Sequence, residues 1–151
     1  MTTSSAPSRA VLALCVVGLA SCASLKTPTL QVEALRIDKV RITGAGVEVA
    51  FRVQNPNPEP IVIERFEYQL KLNGHGLGRG YYSEPIRLDG FKDERLRSRF
   101  GLNFLSLPGA IKEVLDDDRA DVHVNGTFYV RRGGDLTKLR FSNGARVDLG
   151  R

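Results

Sequence analysis

This sequence predicts an all-β fold, an antiparallel β-sandwich of about seven strands with one short helix. Three observations carry that prediction. Apolar residues recur at every second position over most of the chain after Leu30. Clusters of Gly, Asn, Asp and Pro break this pattern at intervals of roughly 10–15 residues. A single stretch near Ile111 shows helical spacing instead.

Leu35 and Ile37, then Val40 and Ile42, mark the first strand, with a phase slip near Asp38-Lys39 that predicts a bulge. Gly44-Ala45-Gly46 turns the chain. Val47, Val49, Phe51 and Val53 then alternate with Glu48, Ala50, Arg52 and Gln54, the pattern of a half-buried strand. Asn55-Pro56-Asn57-Pro58-Glu59-Pro60 stops it, because proline lacks an N–H and holds the preceding residue extended.

Phe66, Tyr68, Leu70 and Leu72 form the apolar face of a third strand, and Asn73-Gly74 is a hairpin signal. A weaker strand spans Tyr81 to Leu88, before Asp89-Gly90. Leu96, Phe100, Leu102 and Phe104 then oppose Arg95, Arg97, Arg99 and Asn103. Ser106 is placed to cap a helix with Pro108 in its first turn, and Leu107, Ile111, Val114 and Leu115 form one stripe. Asp116-Asp117-Asp118 ends it against the helix dipole. Val122, Val124, Phe128 and Val130, then Leu139, Phe141, Val147 and Leu149, mark two last strands around Arg132-Gly133-Gly134-Asp135.

Composition narrows the class without naming an activity. The 151 residues carry a formal charge of +5, with 26% charged and 42% hydrophobic side chains, which suits one folded domain. Two cysteines exclude a disulfide-dense scaffold. No apolar run reaches the ~18 residues of a spanning helix.

The start of the chain reads as an export signal. Polar residues with one basic side chain, Arg9, precede an apolar run from Ala10 to Ala20. Leu19-Ala20-Ser21-Cys22 resembles the lipobox of bacterial lipoproteins. The resemblance implies cleavage before Cys22 and acylation of its thiol, giving a signal peptide over 1–21, a lipidated tether over 22–29 and a folded domain over 30–151. Two or three acyl chains, at ~0.8 kcal/mol per buried methylene, anchor stably where one does not. The expected location is the cell envelope; Ala23 implies the periplasmic face of the outer membrane in a Gram-negative cell. Cys15 would leave with the signal, so thiol catalysis is excluded.

Val47–Leu72 is similar to the water-stress-and-hypersensitive-response (WHy) domain of the late-embryogenesis-abundant type 2 family. An alternating strand runs into Asn55-Pro56-Asn57, and a later strand ends in Tyr68-Gln69-Leu70-Lys71-Leu72-Asn73-Gly74. Gly78, Gly80 and Gly126 also stand where the family has them. The resemblance extends over about residues 30–149. It implies a β-sandwich of fibronectin-like appearance with one helix, an association with desiccation, osmotic and defence stress, and no catalytic residues. Turn chemistry alone explains the Asn-Pro-Asn segment as the cap of a sheet edge.

Other constellations have plainer readings. Gly74-His75-Gly76-Leu77-Gly78-Arg79-Gly80 lacks the following helix of a phosphate loop, so a wide turn and bulged edge are expected. His75 and His123 have no ligand partners at metal spacing, and Asp116-Asp117-Asp118 lacks the spaced ligands of a calcium loop; no metal and no cofactor are expected. Asn125-Gly126-Thr127 is formally a glycosylation acceptor. Ser83, Ser98, Ser106 and Ser142 lack a nucleophile elbow, so no enzyme is expected.

Lys92, Arg95, Arg97 and Arg99 share the polar face of one strand, with Arg131, Arg132, Lys138 and Arg140 near the final hairpin. Such a stripe solvates a sheet face and discourages edge pairing. Its functional alternative is contact with anionic headgroups, at about 1 kcal/mol per basic group. Nucleic acid does not suit an exported protein. The function expected is therefore a non-enzymatic, stress-related envelope lipoprotein that binds protein or membrane surfaces. The alternative is a carrier holding a lipid or other apolar ligand between its sheets.

Overall fold

The computed structural model describes residues 24–41, 44–103 and 119–150. Leu19, Ala20, Ser21 and Cys22, the expected helix from Ser106 to Leu115, and Asp116-Asp117-Asp118 lie outside the described residues.

Eight strands account for nearly all of the described chain: β1 Thr29–Arg41, β2 Gly44–Gln54, β3 Ile61–Leu72, β4 His75–Tyr82, β5 Ile86–Leu88, β6 Asp93–Asn103, β7 Arg119–Arg132 and β8 Asp135–Gly150. They join in the order β4-β3-β7-β8-β1-β2-β6, with β5 continuing along the edge of β3. The all-β expectation holds, but the two separate antiparallel sheets are replaced by one mixed sheet. The cause is β8: it pairs antiparallel with β7 along its length, and its last residues pair parallel with β1, Leu35 opposite Leu149. One long strand thus welds what would otherwise be two layers.

The sheet curls until its two edge strands meet without hydrogen bonding. Phe100 on β6 packs against Gly78 on β4, where an added Cβ would stand 3.1 Å from the ring. The Tyr68 hydroxyl on β3 donates to Ser98 on β6 across the interior at 2.8 Å. The result is close to a barrel.

Bulges supply the curvature. Register shifts fall at Glu33 in β1 and Glu64 in β3, each an extra residue that reverses the inward face along its strand. Leu30 and Val32 point inward before Glu33, and Leu35 does so after it. Ile61 and Ile63 do the same before Phe66 and Tyr68. The slip expected near Asp38-Lys39 is present too, between Asp38 and Arg41. Each displaced glutamate meets arginines: Glu33 meets Arg52 and Arg95, and Glu64 meets Arg131.

The stretch Tyr81 to Leu88, read from sequence as one strand, is two. β4 begins at once after a two-residue turn, in which Asn73 (φ 46°) and Gly74 (φ 83°) both adopt left-handed backbone. The wide turn expected over Gly74–Gly80 is therefore a tight hairpin followed by a bulged edge strand, with the shift opposite Leu70/Lys71. Pro85 separates β4 from β5, as a residue without an N–H must at a ladder.

Inside, the rings pack edge to face. Phe51 and Phe66 are 5.9 Å apart, Phe51 and Tyr68 5.0 Å, and Phe66 and Phe128 5.5 Å. Phe128 lies 4.4 Å from Phe141, and Tyr82 stacks on Phe66 at 5.2 Å. Phe51, Phe66 and Phe128 are wholly buried. Such pairs add roughly 0.5–1.5 kcal/mol each beyond the area they bury.

Candidate functional site

One end of the barrel is built from three chain segments outside the ladder, the first two carrying prolines. They are residues 24–28 before β1, residues 55–60 between β2 and β3, and residues 89–92 between β5 and β6. Asn55 is fully buried among them. Its side-chain amide donates to the carbonyls of Glu59 at 2.8 Å, Asp89 at 3.1 Å and Leu88 at 3.3 Å. Its carbonyl oxygen accepts from the backbone and side-chain N–H groups of Asn57, at 2.9 and 3.0 Å. Its backbone N–H donates to the Lys92 carbonyl at 2.9 Å. Such complete use of a buried polar side chain explains why the loop tolerates burial.

Asn57 reaches the other way. Its amide oxygen accepts from the Lys26 N–H at 2.8 Å and its amide nitrogen donates to the Lys26 carbonyl at 2.9 Å, imitating a strand pair. Its backbone carbonyl accepts from Phe91 N–H at 3.1 Å. Pro56, half-buried between them, contributes its fixed φ. Asn55, Pro56 and Asn57 therefore form a knot joining the N-terminal tether to the β5–β6 turn. Gly90 completes it, because any Cβ there would collide with the Pro58 carbonyl oxygen.

The turn held by this knot is unusual. Phe91 has φ 58°, a left-handed conformation costly for a bulky residue, and its side chain is 66% exposed. Nothing in the alternation pattern signals this. The Asp89-Gly90 pair marked the turn but not its outward aromatic.

The basic stripe has a different setting. Arg95, Arg97 and Arg99 project from β6 on the outer face, exposed, but acidic residues stand beside each. Arg99 donates to Glu48 at 2.7 Å, Arg97 lies 3.7 Å from the same carboxylate, and Arg95 is 3.0 Å from Glu33. Hydrogen bonding to Arg99 outweighs burial, and with the nearby charges of Arg99, Arg97 and Arg36 it holds the Glu48 carboxyl below its ordinary range. Glu48 and Ser98 are among the few buried polar side chains. Lys92 is not part of this ladder; it is exposed in the Phe91 turn.

Near the final hairpin, Arg131 pairs with Glu64 and Arg132 with Glu59. Arg65 covers the Tyr129 ring at 3.9 Å, with Lys138 on its rim at 5.4 Å.

At the opposite end, Ser142 and His123 lie 3.1 Å apart on the outer face, both exposed. The carboxylate two residues along, Asp121, is engaged by Arg146 at 2.8 and 3.0 Å instead. That bond, more than burial opposes it, holds the Asp121 carboxyl below its ordinary range. A hydrolytic triad needs its acid on the histidine, and here the arginine has it. Among the described residues no three His, Cys, Asp or Glu side chains gather as a metal site, and no helix is long and apolar enough to cross a membrane.

Among the described residues, two clefts of about 390 Å³ each open on the outer surface, one over Tyr68, Gly80 and Gly126, the other over His123 and Gly144. Each is lined mainly by strand residues of the outer face, with one core side chain, Tyr68 or Val122, at its floor.

The family model described as late embryogenesis abundant protein matches residues 50–143, more than half of the chain. No curated protein matches the sequence. Among solved structures, a protein from Arabidopsis thaliana is similar at 14% identity with a TM-score of 0.59, over 84% of this chain and 87% of that one. A protein from Archaeoglobus fulgidus is similar at 17% identity with a TM-score of 0.47, over 83% and 97%. A structure described as a late embryogenesis abundant protein shows 18% identity and a TM-score of 0.45, over 85% and 76%. At these identities the Arabidopsis structure shows a common fold.

Proposed function

Because this chain belongs to the late embryogenesis abundant family of type 2, we propose that it is a stress-related, non-enzymatic envelope lipoprotein that acts through its outer surfaces. The observation carrying this reading is the filled interior. Rings 4.4–5.9 Å apart and wholly buried Phe51, Phe66 and Phe128 occupy the space that a carried ligand would need. The alternative, an apolar ligand between sheet layers, requires that core to open. A surface module suits the remaining features: outer-face ion-pair ladders and shallow outer clefts.

The anchor is the second part of the proposal. Leu19-Ala20-Ser21-Cys22 has the lipobox pattern, and the tether that follows is bonded into the body at Lys26. Palmitate labelling of cells should mark the wild-type chain and miss a Cys22→Ala variant.

The protective role is tested by drying a desiccation-sensitive enzyme with and without this protein, then rehydrating. Retained activity well above that with an equal mass of albumin supports the reading; equality with albumin refutes it. Native mass spectrometry of the protein from its own cells tests the alternative. A reproducible extra mass of a lipid would make it a carrier.

A further inference from the structure

We propose that the end of the barrel carrying the Asn55-Pro56-Asn57 knot rests on the lipid surface that holds the anchor, with the Phe91 side chain entering the headgroup interface. This deepens the preceding proposal and rests on its acylated Cys22.

The first support is connectivity. Asn57 bonds the Lys26 backbone at 2.8 and 2.9 Å and the Phe91 N–H at 3.1 Å. Lys26 of the tether and the turn bearing Phe91 are therefore held by the side chain and the backbone carbonyl of one residue, Asn57. From Cys22 to Lys26 the chain can span at most about 14 Å, at ~3.3–3.6 Å per residue. Each interfacial layer of a bilayer is several ångströms deep, roughly 5–8 Å. A lipid on Cys22 thus leaves this end no room to stand far from the membrane.

The second support is where exposed apolar surface lies. Three large hydrophobic side chains are markedly exposed among the described residues: Phe91 at 66%, Tyr81 at 54% and Leu136 at 47%. Leu136 faces Arg131, which faces Val62, the second residue of β3, so it sits in the first rows of this same end. Only Tyr81 lies elsewhere, opposite Glu67 in the middle of β3. Exposed Lys26 and Lys92 flank the turn. An aromatic with neighbouring lysines is the composition that seats at a headgroup boundary.

The third support is that the protein holds Phe91 outward at a cost. Its left-handed backbone is fixed by the Asn57 bond, by Lys92 N–H to the Asp89 carbonyl at 3.2 Å, and by Gly90 wedged against Pro58. Strain over-determined by surrounding bonds is characteristic of a residue placed for contact. By contrast, the guanidinium groups of Arg95, Arg97 and Arg99 stand beside Glu33 and Glu48, which blunts their pull on anionic lipid.

The chain contains no tryptophan, so one introduced tryptophan reports alone. The full acylated chain carrying Phe91→Trp is reconstituted in phosphatidylethanolamine–phosphatidylglycerol vesicles with brominated acyl chains, beside a Tyr81→Trp chain. Circular dichroism and thermal melts matching wild type establish that both variants are folded. Phe91→Trp should shift to the blue and lose about half its emission or more, as an interfacial ring does, while Tyr81→Trp keeps its emission. A chain that floats with the vesicles but whose Phe91→Trp emission equals that of Tyr81→Trp overturns the orientation and leaves the anchor standing. Failure to float, together with absent palmitate label, overturns both.

Discussion

The carbonyl oxygen of the Asn55 side chain accepts two hydrogen bonds from Asn57, one from its backbone and one from its side chain, at 2.9 and 3.0 Å. Through this pair a two-residue interval joins β2, the tether and the β5–β6 turn. Asn55→Ala should cost about 2–4 kcal/mol in urea unfolding, because several buried carbonyls lose their donor together. Asn55→Asp is nearly isosteric yet turns the donor toward Glu59, Leu88 and Asp89 into a carboxylate facing three carbonyls. It should cost at least as much near neutral pH, and less in acid, where protonation restores one donor. An Asn55→Asp deficit independent of pH would contradict this.

Tyr68 and Ser98 share a hydrogen bond of 2.8 Å across the interior. Ser98→Ala should cost about 1–2 kcal/mol by leaving the phenol unsatisfied, and Tyr68→Phe a similar amount. The double variant should cost less than the two added together, with a coupling near 1 kcal/mol in a double-mutant cycle. Burial pushes the Tyr68 hydroxyl above its ordinary 10.0, partly offset by Ser98. Its contribution is thus full below about pH 10 and is lost as pH rises through the folded value. Tyr68→Phe should flatten that alkaline limb.

Glu48 and Asp121 give the acid limb the opposite sign. Both carboxyls are held below their ordinary values, 4.5 and 3.8, chiefly by hydrogen bonds to Arg99 and Arg146. Each contributes stability above its unfolded value, and that stability disappears as pH falls through the lower folded one. Thermal melts between about pH 6 and 2 should show a shallower fall for Glu48→Gln than for wild type. Added salt should weaken the exposed Asp121–Arg146 part more.

Gly90→Ala and Gly101→Ala form a matched pair. At Gly90 a Cβ meets the Pro58 backbone, which cannot move without opening the knot; at Gly101 it meets nothing within 4 Å. Gly90→Ala should lose 2 kcal/mol or more, roughly the scale of a backbone clash in a fixed turn. Gly101→Ala should be neutral or gain about 0.5 kcal/mol from a less flexible unfolded chain. Equal effects in thermal melts would refute the close approach.

Much of this architecture is legible in the sequence because half-burial imposes a period of two. Val47, Val49, Phe51 and Val53 in β2, Phe66, Tyr68, Leu70 and Leu72 in β3, and Val122, Val124, Phe128 and Val130 in β7 all point inward as their spacing requires. Asn73-Gly74 announces its turn, since few other pairs accept two left-handed residues in succession. The bulges at Glu33 and Glu64 are harder to see. Each inserts one residue into a run whose partners are far along the chain, and the slip shows only once Phe51 and Tyr129 are aligned opposite. Ser98 had a usable signal: it occupies an apolar phase between Leu96 and Phe100, where a hydroxyl needs a buried partner.

Taken alone, the sequence determined the all-β class of the described residues, the course of β2 from Val47, of β3 and of β7 with the side chains they turn inward, and that Asn55-Pro56-Asn57 leaves the ladder. Those properties are local, set by neighbours within a few residues and by the refusal of proline to donate. Tertiary structure alone decided that β8 joins the two layers into one curled sheet, that arginines of β6 meet Glu33 and Glu48, and that Asn57 ties Lys26 to Phe91. Each of these joins residues some thirty or more positions apart. Alternation says which face a side chain takes, but only the register between distant strands says what stands opposite it.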